Sequence, residues 1–204
     1  MPAAAPGYHA VAIDPNTPGG ATVYAADNRH VYRSEAGFTD AAEDWVQVLR
    51  SGTYDPGDNP GGYEMDTVRR LAVHPGDSNR VAVGYQQWFE DSDDMTGVLY
   101  TEDYGATWTN LLFNGDPRCD VHDLRFVGGQ LFVATSWNPE YPANTGVFRV
   151  DSDNGWTVHQ ELDVPIKTRS LAADSAGNLY AVGVTTNGTR YGYGGEPVAY
   201  WRPA

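Results

Sequence analysis

One segment of the chain decides the fold: Gly97-Val98-Leu99-Tyr100-Thr101-Glu102-Asp103-Tyr104-Gly105-Ala106-Thr107-Trp108. Its first residues alternate in the manner of a half-buried strand. The short polar side chains of Thr101 and Asp103 can bond the backbone N–H groups of a turn, and Gly105 tolerates a positive φ. Trp108 begins a further apolar run that needs a neighbour to bury it. The segment therefore predicts a strand, a tight turn and the start of the next strand.

The strands around this segment recur along the chain. The first-strand copies contain Val11, Leu71, Leu124 and Leu171, and each is followed by a second and a third apolar run. In three copies a fourth strand is predicted to start at a tryptophan, namely Trp45, Trp108 and Trp156. The repeat spacing of about 45–60 residues is typical of four-stranded propeller blades with variable loops.

This recurrence predicts an all-β fold, a β-propeller of about four antiparallel blades in which the last blade is incomplete. We expect one domain over residues 1–204, with blades at roughly 8–50, 68–113, 121–162 and 166–203. The incomplete blade is typical of a part of a larger propeller or of an oligomer, since an open sheet edge invites pairing with another chain. A β-sandwich is the alternative, and the four-fold recurrence disfavours it.

The turn pattern Thr-x-Asp-x-Gly-x-Thr-Trp, formed by Thr101, Asp103, Gly105, Thr107 and Trp108, resembles the Asp-box, or BNR repeat, of sialidase-like β-propellers. Other copies of the turn are degenerate. The resemblance implies that these five residues are structural, because an Asp-box lies between the third and fourth strands, opposite the usual ligand face. Together with the sequence at 14–16, the segment also resembles xyloglucanase-type propellers, which cleave neutral glucans with two carboxylates.

The formal net charge of −14 over 204 residues excludes nucleic acid as a main partner, because little basic surface is present to neutralise phosphates. Lys167 is the only lysine. An acid excess with almost no lysine is typical of halophilic proteins, whose self-repulsion is screened by concentrated salt. The alternative is an ordinary acidic extracellular protein.

The sequence has no apolar run long enough to cross a membrane, so no membrane insertion is expected. The first seven residues lack the regions of a signal peptide, although a mature secreted start would look the same. We expect an extracellular, cell-surface or virion location. The acidic run 90–94 does not match a calcium-binding loop, and the histidines lack metal-ligand spacing, so no metal and no cofactor is predicted.

The long predicted loops are expected to emerge on one side of the propeller, because second-to-third and blade-to-blade connections share a face. They carry the predicted ligand-binding residues Tyr54, Tyr63, Trp88, Phe89, Trp137, Tyr141, Tyr191 and Tyr193. Aromatic rings beside carboxylates suit sugars, whose apolar faces stack on rings, and suit protein partners equally well. Rings that pack their own loops are the structural alternative.

Three functions from different classes follow. The favoured one is a non-catalytic binding or adhesion propeller that presents the aromatic, acidic loops to a glycan or protein. The second is a glycoside hydrolase or a fragment of one, xyloglucanase-like or sialidase-like, with Asp66 and one of three acids as its carboxylate pair. Those acids are Glu90, Asp91 and Asp93. The third is a purely structural subunit. A sialidase is disfavoured because its arginine cluster is not evident and an acidic face repels an anionic sugar.

The halophilic interpretation predicts a steep salt dependence of stability. The melting temperature should rise up to molar KCl, because counterions screen the repulsion among acidic side chains. Thermal unfolding at increasing KCl concentration measures this. A melting temperature that levels off near physiological salt would favour the ordinary acidic protein.

Overall fold

A computed structural model describes residues 10–27, 30–38, 41–50, 67–86, 97–115, 119–136, 142–162, 166–185 and 197–203. Within these ranges, fifteen strands form antiparallel sheets, and the only helical segments are 3₁₀ turns at 18–20, 42–44 and 142–144. The predicted all-β propeller fold is confirmed: each sheet is a blade whose strands follow one another in chain order.

The blades have the following strands. Blade 1 contains β1 (Ala10–Ile13), β2 (Val23–Ala26), β3 (His30–Ser34) and β4 (Trp45–Arg50). Blade 2 contains β5 (Thr67–His74), β6 (Asp77–Gln86), β7 (Gly97–Thr101) and β8 (Thr109–Asn110). Blade 3 contains β9 (Asp120–Val127), β10 (Gln130–Ser136), β11 (Gly146–Asp151) and β12 (Thr157–Leu162). Blade 4 contains the described strands β13 (Ile166–Ala173), β14 (Leu179–Thr185) and β15 (Pro197–Arg202).

The tryptophans differ from the prediction in one respect. Trp45 begins β4, as expected, but Trp108 and Trp156 each lie one residue before their strand. Trp156 has φ 58°, a left-handed conformation that an extended strand does not accept. These two residues therefore end the turn, and the strand starts after them.

Consecutive blades pack face to face. We call the face that packs on the next blade in the chain the trailing face, and the face that packs on the preceding blade the leading face. Leu71, Leu124 and Leu171 lie at the same register position on the leading faces of blades 2, 3 and 4, and they are 7%, 4% and 2% exposed. Each belongs to an apolar cluster shared with the preceding blade. Burial of both faces of a blade thus fixes the order of the sheets.

The junction between blades 2 and 3 is especially close. Gly84 is on the trailing face of blade 2, where a Cβ atom would lie 2.7 Å from Cδ2 of Leu124 and 2.6 Å from Cγ1 of Val121. A side chain at position 84 would force Val121 and Leu124 to shift. The small residue on one face therefore accommodates the leucine on the other.

Asp123 links three blades near the first strands. Its carboxylate accepts hydrogen bonds from Arg70 Nε of blade 2 at 2.8 Å and from the backbone N–H of Leu171 of blade 4 at 2.8 Å. The Ser170 hydroxyl donates to the same carboxylate at 3.2 Å, and Leu124 N donates to it at 3.1 Å. The side chain is 9% exposed, so these bonds replace most of its hydration.

A second polar chain connects the turns between first and second strands. Asn16 Nδ2 of blade 1 donates to the carbonyl of His74 at 2.9 Å. His74 Nδ1 accepts from Gly76 N at 3.0 Å, so its Nε2 carries the hydrogen that points to the carbonyl of Gly129 in blade 3, at 3.1 Å. These contacts place the first turns of blades 1, 2 and 3 side by side, at what we call the short-turn end.

We predict that Asp123→Ala lowers the free energy of unfolding by about 2 kcal/mol, because it leaves the buried Leu171 N–H without an acceptor and removes the partner of Arg70. Urea denaturation measures the change. The matched control is Asp153→Ala, which removes a carboxylate that is 72% exposed and pairs with Arg80. It should cost less than about 0.5 kcal/mol. Equal losses in the two variants would contradict the linking role of Asp123.

Candidate functional site

The turn 101–108 is held by its own side chains. Thr101 Oγ1 accepts from Asp103 N at 3.2 Å and Gly105 N at 3.0 Å, and it donates to the Asp103 carboxylate at 2.7 Å. The same carboxylate accepts from Thr107 N at 2.8 Å and Thr107 Oγ1 at 2.6 Å. Gly105 has φ 89°, which explains why glycine is needed there. The turn is thus closed around one carboxylate.

The turn also packs against blade 1. Trp108 Nε1 donates to the carbonyl of Val48 at 2.9 Å. The guanidinium of Arg33 lies 3.9 Å from the centre of the Tyr104 ring, and the Tyr104 hydroxyl donates to Thr22 Oγ1 at 3.1 Å. These contacts support the structural role that the sequence predicts for Thr101, Asp103, Gly105, Thr107 and Trp108. Membership of the Asp-box family stays a prediction.

The corresponding turn of blade 3 keeps only part of this arrangement. Asp153 is exposed and pairs with Arg80 of blade 2, so it does not bind its own turn in the manner of Asp103. Trp156 stacks on Tyr100 of blade 2, with ring centres 4.1 Å apart and an interplanar angle of 23°. The contact between the tryptophan and the preceding blade is therefore retained where the carboxylate network is not.

Hydrogen bonding governs the ionisation of the turn carboxylates. Donors on Thr107, then on Thr101, lower the pKa of Asp103 to about 2. In blade 4 the amide of Asn178 similarly lowers the pKa of Asp174, whose Oδ2 it reaches at 2.7 Å. Both residues keep their charge under mildly acidic conditions because the charged form is the one that accepts these bonds.

A cleft of about 400 Å³ runs along the first strands of blades 1, 2 and 3. Most of its lining residues are apolar, and they include Val11, Ile13, Leu71, Val73, Leu124 and Phe126. The polar lining consists of Arg70, Asp123 and Arg125. Asp123 is engaged by Arg70 and blade 4, and Arg125 is exposed. The cleft therefore offers guanidinium donors beside an apolar wall.

Sequence reasoning missed this cleft. A signal exists in β9, where Asp123 and Arg125 flank Leu124 in an otherwise apolar first strand. Charged residues in a first strand indicate either an ion pair between blades or a polar surface. Here Asp123 forms an ion pair with Arg70 of blade 2, and Arg125 is exposed in the cleft. Arg70 and Asp123 are separated by 53 positions in the chain, so the sequence alone does not indicate that they pair.

All the predicted ligand-binding residues, and all the predicted carboxylates of a hydrolase, lie outside the described residues. The former are Tyr54, Tyr63, Trp88, Phe89, Trp137, Tyr141, Tyr191 and Tyr193. The latter are Asp66, Glu90, Asp91 and Asp93. Both sets stay predictions. The structure does describe the strand ends that their segments join.

Those strand ends share one side of the propeller. The turn between the third and fourth strands of blade 2 lies against the start of the second strand, because Tyr104 N donates to the carbonyl of Asn79 at 3.0 Å. This turn is therefore at the short-turn end, beside the turn between the first and second strands. Since neighbouring strands are antiparallel, the second-to-third and blade-to-blade connections start from the opposite ends of the strands. We call this opposite side the connection end.

No group of three or more His, Cys, Asp or Glu side chains within the described ranges is placed to hold a metal ion. In the same part of the chain, no helix has the length and apolar character that a membrane crossing requires.

Comparison with known proteins supports the fold. No protein-family model and no curated protein matches the chain. Among solved structures, an ancestral GH74 enzyme is similar to 97% of this chain with a TM-score of 0.59 and 17% identity, and the match covers 25% of the enzyme. A protein described as a gluconolactonase matches 89% of this chain and 60% of its own, with 14% identity and a TM-score of 0.49. The chain thus spans about a quarter of the GH74 enzyme, and at this identity the likeness shows the fold.

We predict that Asp103→Asn flattens the acid dependence of stability. The pKa of Asp103 in the folded chain is about 2, below its ordinary value of 3.8. Its stabilising effect is therefore present above pH 3.8 and is lost as pH falls toward 2. The melting temperature of the unmodified chain should fall more steeply across this window than that of the variant. Glu102→Gln, a change at the exposed neighbouring carboxylate, is the control and should keep the steep fall.

Proposed function

We propose that this chain is a non-catalytic binding or adhesion propeller whose connection end recognises a glycan, with a protein surface as the second candidate. The observation that carries the proposal is the topology: in blades 2, 3 and 4 the first and second strands are joined by short turns at one end, and the longer connections 87–96, 137–145 and 186–196 start from the other. Those connections and the blade-to-blade segment 51–66 hold the eight predicted ligand-binding aromatics and much of the acidic sequence. Loops on a rigid scaffold are where recognition residues concentrate.

The chemistry of the connections favours sugars. An aromatic ring covers the apolar face of a pyranose, and carboxylates accept bonds from its hydroxyls. The net charge of −14 favours a neutral or basic glycan over an anionic one. A glycan ligand accords with an extracellular, cell-surface or virion location, which we propose with it.

A glycoside hydrolase is the alternative, because the blades share their fold with the ancestral GH74 enzyme. Such an activity needs two carboxylates about 5–10 Å apart on either side of the scissile bond. In the described part of the chain, Asp123 is tied to Arg70 and blade 4, and Asp103 and Asp174 are held by their own turns. The pair would therefore come from the connections, as Asp66 with Glu90, Asp91 or Asp93.

We predict that glycan binding depends on aromatics of the connections. Trp137→Ala and Tyr191→Ala should each weaken binding about tenfold or more, because each removes a stacking surface. A glycan array identifies the ligand, and calorimetry with that glycan measures the loss. Phe38→Ala is the matched control, since Phe38 is a 68% exposed ring that follows the third strand of blade 1 on the short-turn side. It should bind as the unmodified chain does.

The same samples separate the alternatives. Release of reducing sugar from a neutral glucan, lost in Asp66→Asn, would overturn the non-catalytic proposal in favour of a hydrolase. Binding that Trp137→Ala and Phe38→Ala reduce equally would contradict the connection end as the site. No binding to any glycan on the array would leave the protein partner as the candidate to be sought.

A further inference from the structure

The cleft along the first strands of blades 1, 2 and 3 reaches the short-turn end. Pro15 and Pro75, which lie in the turns between the first and second strands of blades 1 and 2, are among its lining residues. The predicted ligand-binding aromatics belong to the connections, which start from the opposite ends of the strands. The cleft is therefore a second candidate site, and an inference from it does not rest on the proposed function.

Arg125 departs from the repeat at its position in the first strand. The residues at the same register position in blades 1, 2 and 4 are all alanines, namely Ala12, Ala72 and Ala172. Arg125 is exposed, and no described residue forms an ion pair or a hydrogen bond with its side chain. Three blades fold with alanine at this position, so the packing of a blade does not explain why blade 3 has an arginine there.

Arg70 brings a second guanidinium to the same cleft. Its Nε donates to the Asp123 carboxylate at 2.8 Å, and its Nη1 donates to the carbonyl of Arg69 at 2.9 Å. The side chain is 45% exposed, and no described residue accepts a hydrogen bond from its Nη2. Because a guanidinium has five N–H donors, Arg70 can bind a ligand while it holds Asp123.

The cleft is locally cationic in a strongly acidic chain. Of the described residues that line it, only Arg70, Arg125 and Asp123 are charged, which gives two positive charges, one negative charge and a net charge of +1. The whole chain has a net charge of −14. Both oxygens of Asp123 already accept hydrogen bonds, from donors in blades 2, 3 and 4. The charge of the cleft therefore suits a ligand with a single negative charge.

Apolar side chains make up most of the remaining lining. Val11 and Ile13 are 59% and 62% exposed, and Phe126 is partly exposed. An apolar group placed against them would remove this surface from water, which is favourable in proportion to the area covered. The volume of about 400 Å³ lies in the range of small-molecule sites. The cleft thus combines guanidinium donors with room for a small apolar group.

We propose that this cleft binds a small organic monocarboxylate that has an apolar body. The guanidinium of Arg125 and Nη2 of Arg70 donate to the carboxylate oxygens, a pairing for which the planar guanidinium has the right geometry. The apolar body lies against Val11 and Ile13. One carboxylate balances the net charge of the cleft, whereas a phosphate dianion would leave the cleft negative in a chain that is already acidic.

Calorimetry with octanoate, at about 0.15 M salt to screen the acidic exterior, tests the proposal. Octanoate should bind more tightly than acetate, because each added CH₂ group should raise the affinity about twofold or more. Arg125→Ala, which restores the alanine of the other blades, should weaken octanoate binding about tenfold or more. Arg169→Ala is the matched control, since Arg169 is an exposed arginine of the first strand β13 that does not line the cleft. It should bind octanoate as the unmodified chain does.

The neutral analogue octanamide separates recognition of the charge from burial of the apolar body. It should bind the unmodified chain more weakly than octanoate does, and Arg125→Ala should leave its affinity unchanged, because the amide has no charge for the guanidinium to pair with. Both arginines are exposed, and circular dichroism should show that each variant folds. The proposal would be overturned by the absence of saturable octanoate binding, by equal losses in Arg125→Ala and Arg169→Ala, by an equal loss for octanamide and octanoate, or by inorganic phosphate binding more tightly than octanoate.

Discussion

Every blade of this protein is apolar on both faces, and this requirement shapes the whole fold. A sheet with two apolar faces is stable in water only when another element packs on each face. In a propeller the neighbouring blades do this, and every junction between blades is the same kind of contact. The contact pairs a small residue on one face with a leucine on the next, as Gly84 does with Leu124. The same kind of pairing recurs between the other described blades, as Ala26 with Leu71 and as Ala134 with Leu171.

Polar groups then fix how the apolar faces meet. Apolar contacts tolerate sliding, but the Asp123 carboxylate has directional bonds to Arg70 in one neighbouring blade and to Leu171 in the other. His74 links blades 1, 2 and 3 at the short-turn end: its Nε2 donates to the carbonyl of Gly129 in blade 3, and its own carbonyl accepts from Asn16 of blade 1. These links lie close to the first strands, where the blades approach one another, so a few bonds are enough to set the angle between neighbours. The acidic exterior, by contrast, contributes repulsion that salt relieves.

The sequence predicts the repeat well and the polar links poorly, for a physical reason. Period-two alternation and turn residues are local, and so the strand, tight turn and following strand predicted for segment 97–108 match β7 (Gly97–Thr101), the turn after it and β8. The strand start at Trp156 was wrong: this residue has φ 58° and its ring stacks on Tyr100 of the preceding blade, and neither feature can be recognised from the local sequence. The pairing of Arg70 with Asp123, and the cleft beside it, also depend on contacts between blades. The connections that carry the predicted ligand residues lack such periodicity altogether.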